Sequence, residues 1–405
     1  MPRELFPLLL IGDAPSAPTG LGRIVRDLST RIRSHLADVF QVATLGYGGP
    51  GSSRLGFPQY VIEGMEDWVI PTLPQVWEDF AANRRGAVFT VWDPSRLTWF
   101  SQPARCELLA GNSILRQWLV QAPFERWGYF AIDAEGPHGK LSFPIQQTLL
   151  GFDRVLAYSD WARKMILRSL AEEQAPISDL SFRPHGIDTE VFFESYRPLS
   201  RTLFFEITGA QTLNAKSAPI LDDELLLGIV ATNQARKDWA LGIQTAAILS
   251  QQRKVRLWIH TDRLERHWSI PALLIDYGLV EKAVISLNLL SDEKMAQAYS
   301  ACDVTLGIGL GEGFGYPLAE SLACGTPVVH GDYGGGAEIV PPEMRIAPIA
   351  FRAEGLYSSV RPVFDPHQWV KCVLQLAGQR ASLPPQYAWS NLWPRWEEWF
   401  RKGIA

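Results

Sequence analysis

Two glutamates in a glycine-rich stretch, residues 311–329, are the side chains best suited to ligand chemistry. The apolar runs and glycines around Glu312 and Glu320 predict a loop, a helix and then a strand. Pro317 suits the first helical turn, where its missing N–H is not needed, and Gly325 suits the left-handed position after the helix. We expect Glu320 in the first turn, with its carboxylate leaning toward Glu312.

The loop between the two glutamates can present backbone N–H groups at the start of that helix. Gly313, Phe314 and Gly315 supply these groups, which suit an anion or polar oxygen atoms. Two nearby carboxylates repel a phosphate, but they accept hydrogen bonds from hydroxyls well. The pattern therefore predicts a ligand with both anionic and hydroxyl-rich parts. Taken alone, Glu320 could simply be a carboxylate that favours the helix dipole.

A basic pair marks a second candidate segment. Arg236 and Lys237 follow the apolar run of residues 225–230, close to Asn233, and precede a predicted helix. Two cations at a helix N-terminus oppose the helix dipole unless an anion lies there. Arginine grips phosphate oxygens with two parallel hydrogen bonds, and lysine adds a point charge. We expect a phosphate contact here, and a solvated basic turn is the alternative.

The loop after the first predicted strand is a third candidate. Gly20 and Gly22 allow the backbone to approach a ligand, and Arg23 at the start of the next helix suggests an anion. The full GxGxxG spacing is missing, so a purely structural turn is the alternative.

Missing motifs disfavour several other chemistries. No histidine pair has metal-ligand spacing, and no HExxH, GxSxG or GxxxxGK[ST] pattern occurs. His185 and His260 each lie near the end of a predicted strand, where an isolated histidine is more often structural than functional. A metal site, a serine hydrolase of the elbow type and a P-loop enzyme therefore have no support.

The composition is that of an ordinary globular protein. The chain has 405 residues, of which 47% are hydrophobic and 20% charged, and this length suggests two to three domains. A net charge of −5 gives no general attraction for nucleic acid or acidic membranes. Four separated cysteines indicate buried thiols in a reducing compartment, and no apolar run is long enough to span a bilayer. We expect a cytoplasmic protein with no transmembrane segment.

Short apolar runs alternate with helical segments, which predicts an α/β fold with parallel sheets covered on both faces. The clearest runs are residues 8–12, 225–230 and 255–260. The periodicity fades at residues 196–224, which we interpret as a linker or a small insertion. The predicted organisation has Rossmann-like domains at residues 1–195 and 225–385, with a C-terminal helix, residues 386–405, packing back on the first.

Four tryptophans near the C-terminus recur at helical spacing. Trp389, Trp393, Trp396 and Trp399 fall on one face of a helix. We interpret this face as a packing surface, and a platform that stacks on sugars or bases is the alternative.

Residues 312–320 match the Glu-x7-Glu motif of the family 4 glycosyltransferases. Three further segments resemble that family: residues 182–192, which contain Pro-His-Gly-Ile-Asp, residues 230–237 with the basic pair, and residues 291–304 before the motif. The resemblance covers most of residues 150–340, and the N-terminal half is only loosely similar. It implies the GT-B fold, in which two Rossmann-like domains with parallel sheets face a central cleft.

The resemblance also implies a nucleotide-sugar donor, which is a co-substrate rather than a cofactor. The family retains the anomeric configuration and needs no metal. Arg236 and Lys237 would hold the donor diphosphate, helped by the loop of Gly20 and Gly22. The other implied donor contacts are Glu320 for the ribose, Glu312, Gly313, Phe314 and Gly315 for the sugar, His260 and Leu289 for the base, and Asn233.

One position departs from the family pattern. Many members carry a histidine after a strand of the N-terminal domain, near the reacting sugar, whereas this chain has Asp133 there with His138 nearby. Asp133 could touch the sugar, orient the acceptor or be structural. We include it with Glu312, Lys237 and Arg236 among the candidate catalytic residues.

The sequence does not determine the acceptor molecule. A hydroxyl of a glycan or lipid-linked saccharide is the default, and a hydroxylated DNA base is an alternative because arginines cluster in the N-terminal half. A protein that binds the nucleotide sugar without turnover is a second alternative. The clustered arginines are Arg23, Arg26, Arg31, Arg33, Arg84 and Arg85.

Overall fold

A computed structural model describes residues 4–49, 55–62, 69–109, 111–171, 177, 179–215, 219–355 and 359–404. The chain forms two compact units. The first unit contains the chain up to His185 and again from Trp393 onward, and the second runs from Gly186 to Leu392. The chain thus leaves the first unit ten residues before residue 195, the boundary expected from the sequence.

Parallel strands build the sheet of the first unit. The strands are β1 Phe6–Asp13, β2 Phe40–Tyr47, β3 Gln59–Ile62, β4 Gly86–Val91, β5 Phe124–Phe130, β6 Arg154–Ala157 and β7 Leu180–Phe182. Within the described ranges these seven strands are ordered β3-β2-β1-β4-β5-β6-β7, and every pairing is parallel. The helices between them are α1 Gly20–His35, α2 Leu73–Ala81, α3 Thr98–Ser101, α4 Ser113–Gln121, α5 Phe143–Leu150 and α6 Asp160–Leu170.

The central strand β1 shows why this sheet forms. Leu8, Leu9, Leu10 and Ile11 are all fully buried, because helices cover both faces of a parallel sheet. The following helix begins at Gly20 because the Thr19 hydroxyl accepts the N–H of Gly22 at 3.0 Å, which caps the helix.

The second unit repeats this plan after two short helices. Its elements are α7 Arg197–Thr202, α8 Phe204–Thr208, β8 Leu225–Val230, α9 Trp239–Ser250, β9 Val255–His260, α10 Ile270–Asp276, β10 Ala283–Ser286, α11 Asp292–Ala301, β11 Val304–Gly307, α12 Tyr316–Ala323, β12 Val328–Gly331, β13 Arg345–Ile346, β14 Ala350–Glu354, β15 Ser359–Val363 and α13 Pro366–Leu376. In the described part of this unit, six parallel strands are ordered β10-β9-β8-β11-β12-β13, and β14 pairs with β15 as a separate antiparallel hairpin.

Both parallel sheets have the strand order of a Rossmann fold, counted from the first strand of each unit. The predicted α/β class with two Rossmann-like domains is therefore confirmed. In each sheet the order reverses beside the first strand, between β1 and β4 and between β8 and β11. Ligands of such sheets bind at the carboxyl ends of the strands next to this switch point.

The segment of residues 196–224 lies within the second unit. It contains α7 and α8, and Phe204 and Ile207 of α8 are buried. This buried apolar contact makes the described part of the segment a packed element of that unit.

The last helix, α14 Trp389–Lys402, carries the spaced tryptophans. From Trp393 onward its residues belong to the first unit. The Trp396 indole donates to the Pro184 carbonyl at 3.0 Å, and the Trp399 ring lies 5.4 Å from that of Trp127. These buried contacts support the packing interpretation of the tryptophan face. Among the described helices, none has both the length and the apolar character needed to cross a bilayer.

Candidate functional site

The loops after β8 and β11 are joined at the switch point of the second sheet. These two strands pair directly, and Arg236 and Lys237 follow β8. The Leu310 N–H donates to the Arg236 carbonyl at 2.9 Å, and the Asp238 N–H donates to the Ile308 carbonyl at 2.9 Å. The fold therefore places the basic pair directly beside the loop that leads to Glu312.

The basic pair and Glu312 form a compact ionic cluster. The Lys237 ammonium contacts one carboxylate oxygen of Glu312, and Arg236 Nη1 lies 3.1 Å from the other. Arg236 Nη1 also donates to the Gly311 carbonyl at 3.2 Å. Only 9% of the Lys237 side chain and 12% of the Glu312 side chain are exposed, so water screens this cluster weakly. Two of the sequence-predicted segments thus come together in the fold.

The cluster controls the ionisation of Glu312. Burial alone raises the pKa of this carboxyl, but the charges of Lys237 and Arg236 outweigh it and lower the pKa to about 2. Glu312 is therefore an anion throughout the physiological range. With two cations and one carboxylate, the cluster carries one surplus positive charge.

The loop that bears Glu312 is tightly packed. A Cβ on Gly336 would meet the Glu312 Cβ at 2.8 Å, and the Gly336 N–H donates to the Glu312 carbonyl at 3.0 Å. Gly315 is the N-cap of α12 and has a φ of +97°, a backbone conformation that is unfavourable for residues with a side chain. Gly325 has a φ of +78° just past the helix, which confirms its predicted left-handed position.

The position of Glu320 differs from the expectation. The predicted first-turn placement is wrong, because α12 begins at Tyr316 and Glu320 is one full turn inside it. Glu320 is buried, and its carboxylate accepts a 2.9 Å hydrogen bond from the Tyr299 hydroxyl. The carboxylate is consequently anchored from the neighbouring helix α11.

Asn233 holds a neighbouring loop. Its side chain is fully buried, and its amide nitrogen donates to the carbonyls of Arg263, Leu264 and Trp268 at 3.3, 3.2 and 2.8 Å. Its amide oxygen accepts the Trp268 N–H at 3.0 Å. These bonds use the side chain to shape residues 263–268, so its effect on a ligand is indirect.

Two residues predicted to lie near a base, His260 and Leu289, lie at the end of β9 and just past the end of β10, two neighbouring strands of the same sheet. His260 closes β9, and its Nδ1 lies 2.8 Å from the Ser286 hydroxyl, which closes β10. Burial lowers the pKa of His260 to about 4, so the imidazole is neutral. Leu289, just past β10, is 81% exposed, and Leu287 is 48% exposed. Leu287 and Leu289 are thus exposed apolar side chains just after β10, the strand that pairs with the one ending at His260.

Three predicted site residues lie in the first unit. Gly20 and Gly22 open α1, and the Gly22 N–H is used by Thr19. Asp133 lies just after β5, close enough to Asp93 that its charge, together with burial, raises the pKa of Asp93. The structure thus distributes the candidate residues over both units, with the larger group in the second.

Two positions next to predicted residues were not expected from the sequence. Tyr299 anchors Glu320, although only its spacing on a helix before the motif could have drawn attention to it. Asp13 is buried, and it accepts the Thr19 hydroxyl at 2.6 Å and the Trp92 indole N–H at 3.1 Å. A carboxylate at the end of a hydrophobic strand was the available signal for Asp13.

The arginine cluster of the N-terminal half is largely paired with carboxylates. Arg23 and Arg26 both lie against Asp27, at 3.9 and 3.4 Å. Arg84 pairs with Glu4 at 2.7 Å and Arg85 with Glu125 at 3.0 Å. This pairing reduces the positive field on which the DNA alternative depends.

The two Rossmann-like units agree with the GT-B fold of glycosyltransferases, and solved structures with this fold match nearly the whole chain. HepE from Anabaena, solved with UDP and glucose, superposes with a TM-score of 0.68 at 14% identity, covering 98% of this chain and 100% of that one. Sucrose-phosphate synthase from Thermosynechococcus elongatus gives 0.66 at 15% identity, covering 98% and 99%. At these identities the likeness concerns the fold.

The sequence comparisons point to the second unit. Residues 225–377 match the family model described as Glycosyl transferases group 1. The MMP alpha-(1->4)-mannosyltransferase of Mycolicibacterium hassiacum is 30% identical over 112 residues, which is 28% of this chain. The match spans 27% of that relative's length.

Proposed function

We propose that this protein is a glycosyltransferase that moves a sugar from a nucleotide-sugar donor to an acceptor hydroxyl, with retention of the anomeric configuration and without a metal ion. The observation that carries the proposal is the convergence of Arg236 and Lys237 on Glu312 at the switch point of the second sheet. The family match of residues 225–377 supports the same class of reaction, and the Glu-x7-Glu spacing of residues 312–320 favours family 4.

The surplus positive charge of the cluster suits a diphosphate. When the sugar leaves, negative charge develops on the diphosphate oxygen, and buried cations stabilise it without needing to reorganise. Lys237 supplies a point charge, and Arg236 supplies parallel N–H donors. In this proposal the two cations stabilise the leaving diphosphate, as a metal ion does in other transferases. This is the basis for proposing a metal-independent reaction.

The carboxylates are proposed to hold the hydroxyl-rich parts of the donor. Glu312 is ionised and accepts hydroxyls of the sugar, next to the backbone of Gly313, Phe314 and Gly315. Glu320, anchored by Tyr299, accepts the ribose hydroxyls. Because a carboxylate is an acceptor only, both residues select for hydroxyls over phosphate oxygens.

The exposed leucines after β10 are proposed to receive the base. Leu289 and Leu287 follow the strand that pairs with β9, and the half-buried His260 that ends β9 is neutral. Asn233 contributes by fixing the nearby loop of residues 263–268. The donor base is not specified by these contacts, because leucine side chains pack on any ring.

The proposed chemical step is attack by the acceptor hydroxyl on the same face of the sugar from which the diphosphate leaves. The departing diphosphate oxygen takes the hydroxyl proton, so no separate general base is needed. A glycan or lipid-linked saccharide is the default acceptor. The roles of Gly20, Gly22 and Asp133, which lie in the first unit, rest on the sequence resemblance alone.

The test is release of nucleoside diphosphate from a panel of nucleotide sugars with candidate acceptors, run with and without EDTA. NMR of the anomeric proton of the product distinguishes retention from inversion. Lys237→Ala should slow turnover more than it weakens donor binding, and Glu320→Ala should mainly weaken donor binding. Lys254→Ala, an exposed cation of the same unit, is the matched control.

The other possible outcomes favour one of the alternative functions or contradict the site assignment. Donor binding without release under any acceptor favours the non-catalytic binding protein. Release only with hydroxylated DNA, with steep salt dependence, favours the DNA alternative. Wild-type kinetics in both Lys237→Ala and Glu320→Ala contradict the site assignment.

A further inference from the structure

A pocket of about 470 Å³ lies in the second unit beside α7, and no step of the proposed reaction uses it. Its volume is typical of small-molecule sites. Arg197 and Arg201, on one face of α7, line it together with the apolar side chains of Pro198, Phe205 and Ile220. The pocket therefore combines a cationic wall with an apolar one.

The topology separates this pocket from the candidate donor site. Both arginines bind Asp303, which directly precedes β11, and Asp303 also accepts the Leu226 N–H at the start of β8. The basic pair and Glu312 follow the opposite, carboxyl ends of these two parallel strands. Six residues of β8 span roughly 20 Å, so the pocket lies at the far edge of the sheet.

The two arginines share a single carboxylate. Arg197 Nη1 lies 3.0 Å from one oxygen of Asp303, and Arg201 Nη1 lies 3.2 Å from the other. Arg201 also donates from Nη2 to the carbonyls of Leu221 and Glu224, at 3.2 and 2.6 Å. Arg201 is thus a structural cross-link between α7 and the chain that enters β8.

Only some of the hydrogen-bond donors of the Arg197 guanidinium have partners. Its Nε and Nη2 atoms are buried, and neither has a hydrogen-bond partner within the described ranges. Burial lowers the pKa of Arg197, as do the neighbouring charges of Arg380 and Arg201, while Asp303 opposes them. Unpaired buried donors are unfavourable, so this guanidinium has an unmet need for an anion.

The unmet donors have a specific shape. Nε and Nη2 form the side of the guanidinium that makes two parallel hydrogen bonds to a carboxylate or a phosphate. The Arg197 side chain is 15% exposed, but its Nε and Nη2 atoms are buried. Ligand binding therefore requires the guanidinium to turn about its outer torsions toward the pocket. Asp222 also lines the pocket and disfavours anions of high charge.

We propose that the pocket beside α7 is a second ligand site, which binds a small organic oxyanion, a carboxylate or phosphate monoester on an apolar body, through the Nε–Nη2 side of Arg197. The oxyanion replaces the missing hydrogen bonds, and the apolar body packs on Phe205, Pro198 and Ile220. The site is independent of the donor site in its residues and in its edge of the sheet.

The test is titration of the full chain with benzoate, phenyl phosphate and inorganic phosphate, followed by ligand-observed NMR. We expect saturable binding of benzoate, phenyl phosphate or both, weakened by about tenfold or more in Arg197→Lys. Lysine keeps the charge that pairs with Asp303 but lacks the two parallel donors. The exposed Arg253→Lys is the matched control and should bind like the wild type.

The probes also separate the ligand classes. Binding of benzoate alone identifies a carboxylate, and binding of phenyl phosphate alone identifies a phosphate ester. Equal affinity of wild type and Arg197→Lys overturns the proposal, as does absence of binding by all three probes. Inorganic phosphate binding as tightly as phenyl phosphate overturns it too, because the apolar wall would then contribute nothing.

Discussion

The hydroxyl of Tyr299 donates a 2.9 Å hydrogen bond to the carboxylate of Glu320, and both side chains are buried. Burial and the negative charge of Glu320 raise the pKa of Tyr299 well above its ordinary value. The phenol is therefore protonated at physiological pH and donates to the carboxylate. This bond fixes the orientation of the carboxylate that we propose binds the ribose.

Tyr299→Phe should weaken binding of the best nucleoside diphosphate by about fivefold to tenfold, because loss of one buried hydrogen bond lets the Glu320 carboxylate turn. Pyrophosphate, which has no ribose, should bind equally well to variant and wild type. Isothermal titration calorimetry measures both affinities.

Thr305→Val is the matched control for Tyr299→Phe. It removes another buried hydrogen bond of the same unit, the one between the Thr305 and Ser321 hydroxyls at 2.6 Å, and does not remove the partner of Glu320. It should lower the melting temperature without changing nucleotide affinity. Equal weakening of nucleotide and pyrophosphate by Tyr299→Phe would show that the bond serves general stability only.

Lys237→Met should destabilise the second unit by about 3 kcal/mol, because it removes one cation from a buried carboxylate. Arg236 still neutralises Glu312, which keeps the loss at the low end of the usual range. The free energy of unfolding in urea measures this effect. Adding Glu312→Gln should recover part of the loss, since a neutral amide needs no cation. Strictly additive losses in the double variant would contradict the coupling.

Asn233→Ala should loosen the loop of residues 263–268 and lower the free energy of unfolding by at least about 2 kcal/mol, because three carbonyls and one N–H lose their partner. Hydrogen exchange of the Trp268 amide, which donates to Asn233, should accelerate. Asn214→Ala, at an exposed contact with Glu281, is the control. An unchanged exchange rate of the Trp268 amide would contradict the inference that Asn233 holds the loop of residues 263–268.

His260 should make stability depend on pH. Burial lowers its pKa from 6.5 to about 4 in the folded protein, so between these values the unfolded chain binds a proton that the folded one does not. Stability present above pH 6.5 is therefore lost as the pH falls toward 4. Over this pH range, the free energy of unfolding of His260→Gln should fall by up to about 3 kcal/mol less than that of the wild type.

Denaturant unfolding at several pH values between 7 and about 4 measures that slope. The exposed His267→Gln is the matched control. A slope in His260→Gln as steep as in the wild type would assign the pH dependence to other groups.

Continuous apolar runs were sufficient to predict the core strands. Strands β8 and β9 have the predicted bounds, because residues buried on both faces form unbroken hydrophobic runs. The Glu320 position was misjudged because the start of α12 depends on the backbone conformation of Gly315, which a sequence pattern does not specify.

The sequence alone also could not predict contacts between elements that are distant along the chain. The Tyr299–Glu320 bond depends on how α11 packs against α12, and Asn233 meets residues 263–268 only after β8 and β9 pair. Local spacing predicts which residue types are available, whereas tertiary packing decides which of them meet.

The return of α14 to the first unit has a consequence for biosynthesis. Phe400 and Trp399 pack against Phe89 and Trp127, which lie in strands near the start of the chain. On the ribosome, those strands emerge long before their aromatic partners are translated. The first unit therefore starts to emerge first but can complete its core only last, and its partly formed hydrophobic surface stays uncovered until the final helix has been translated.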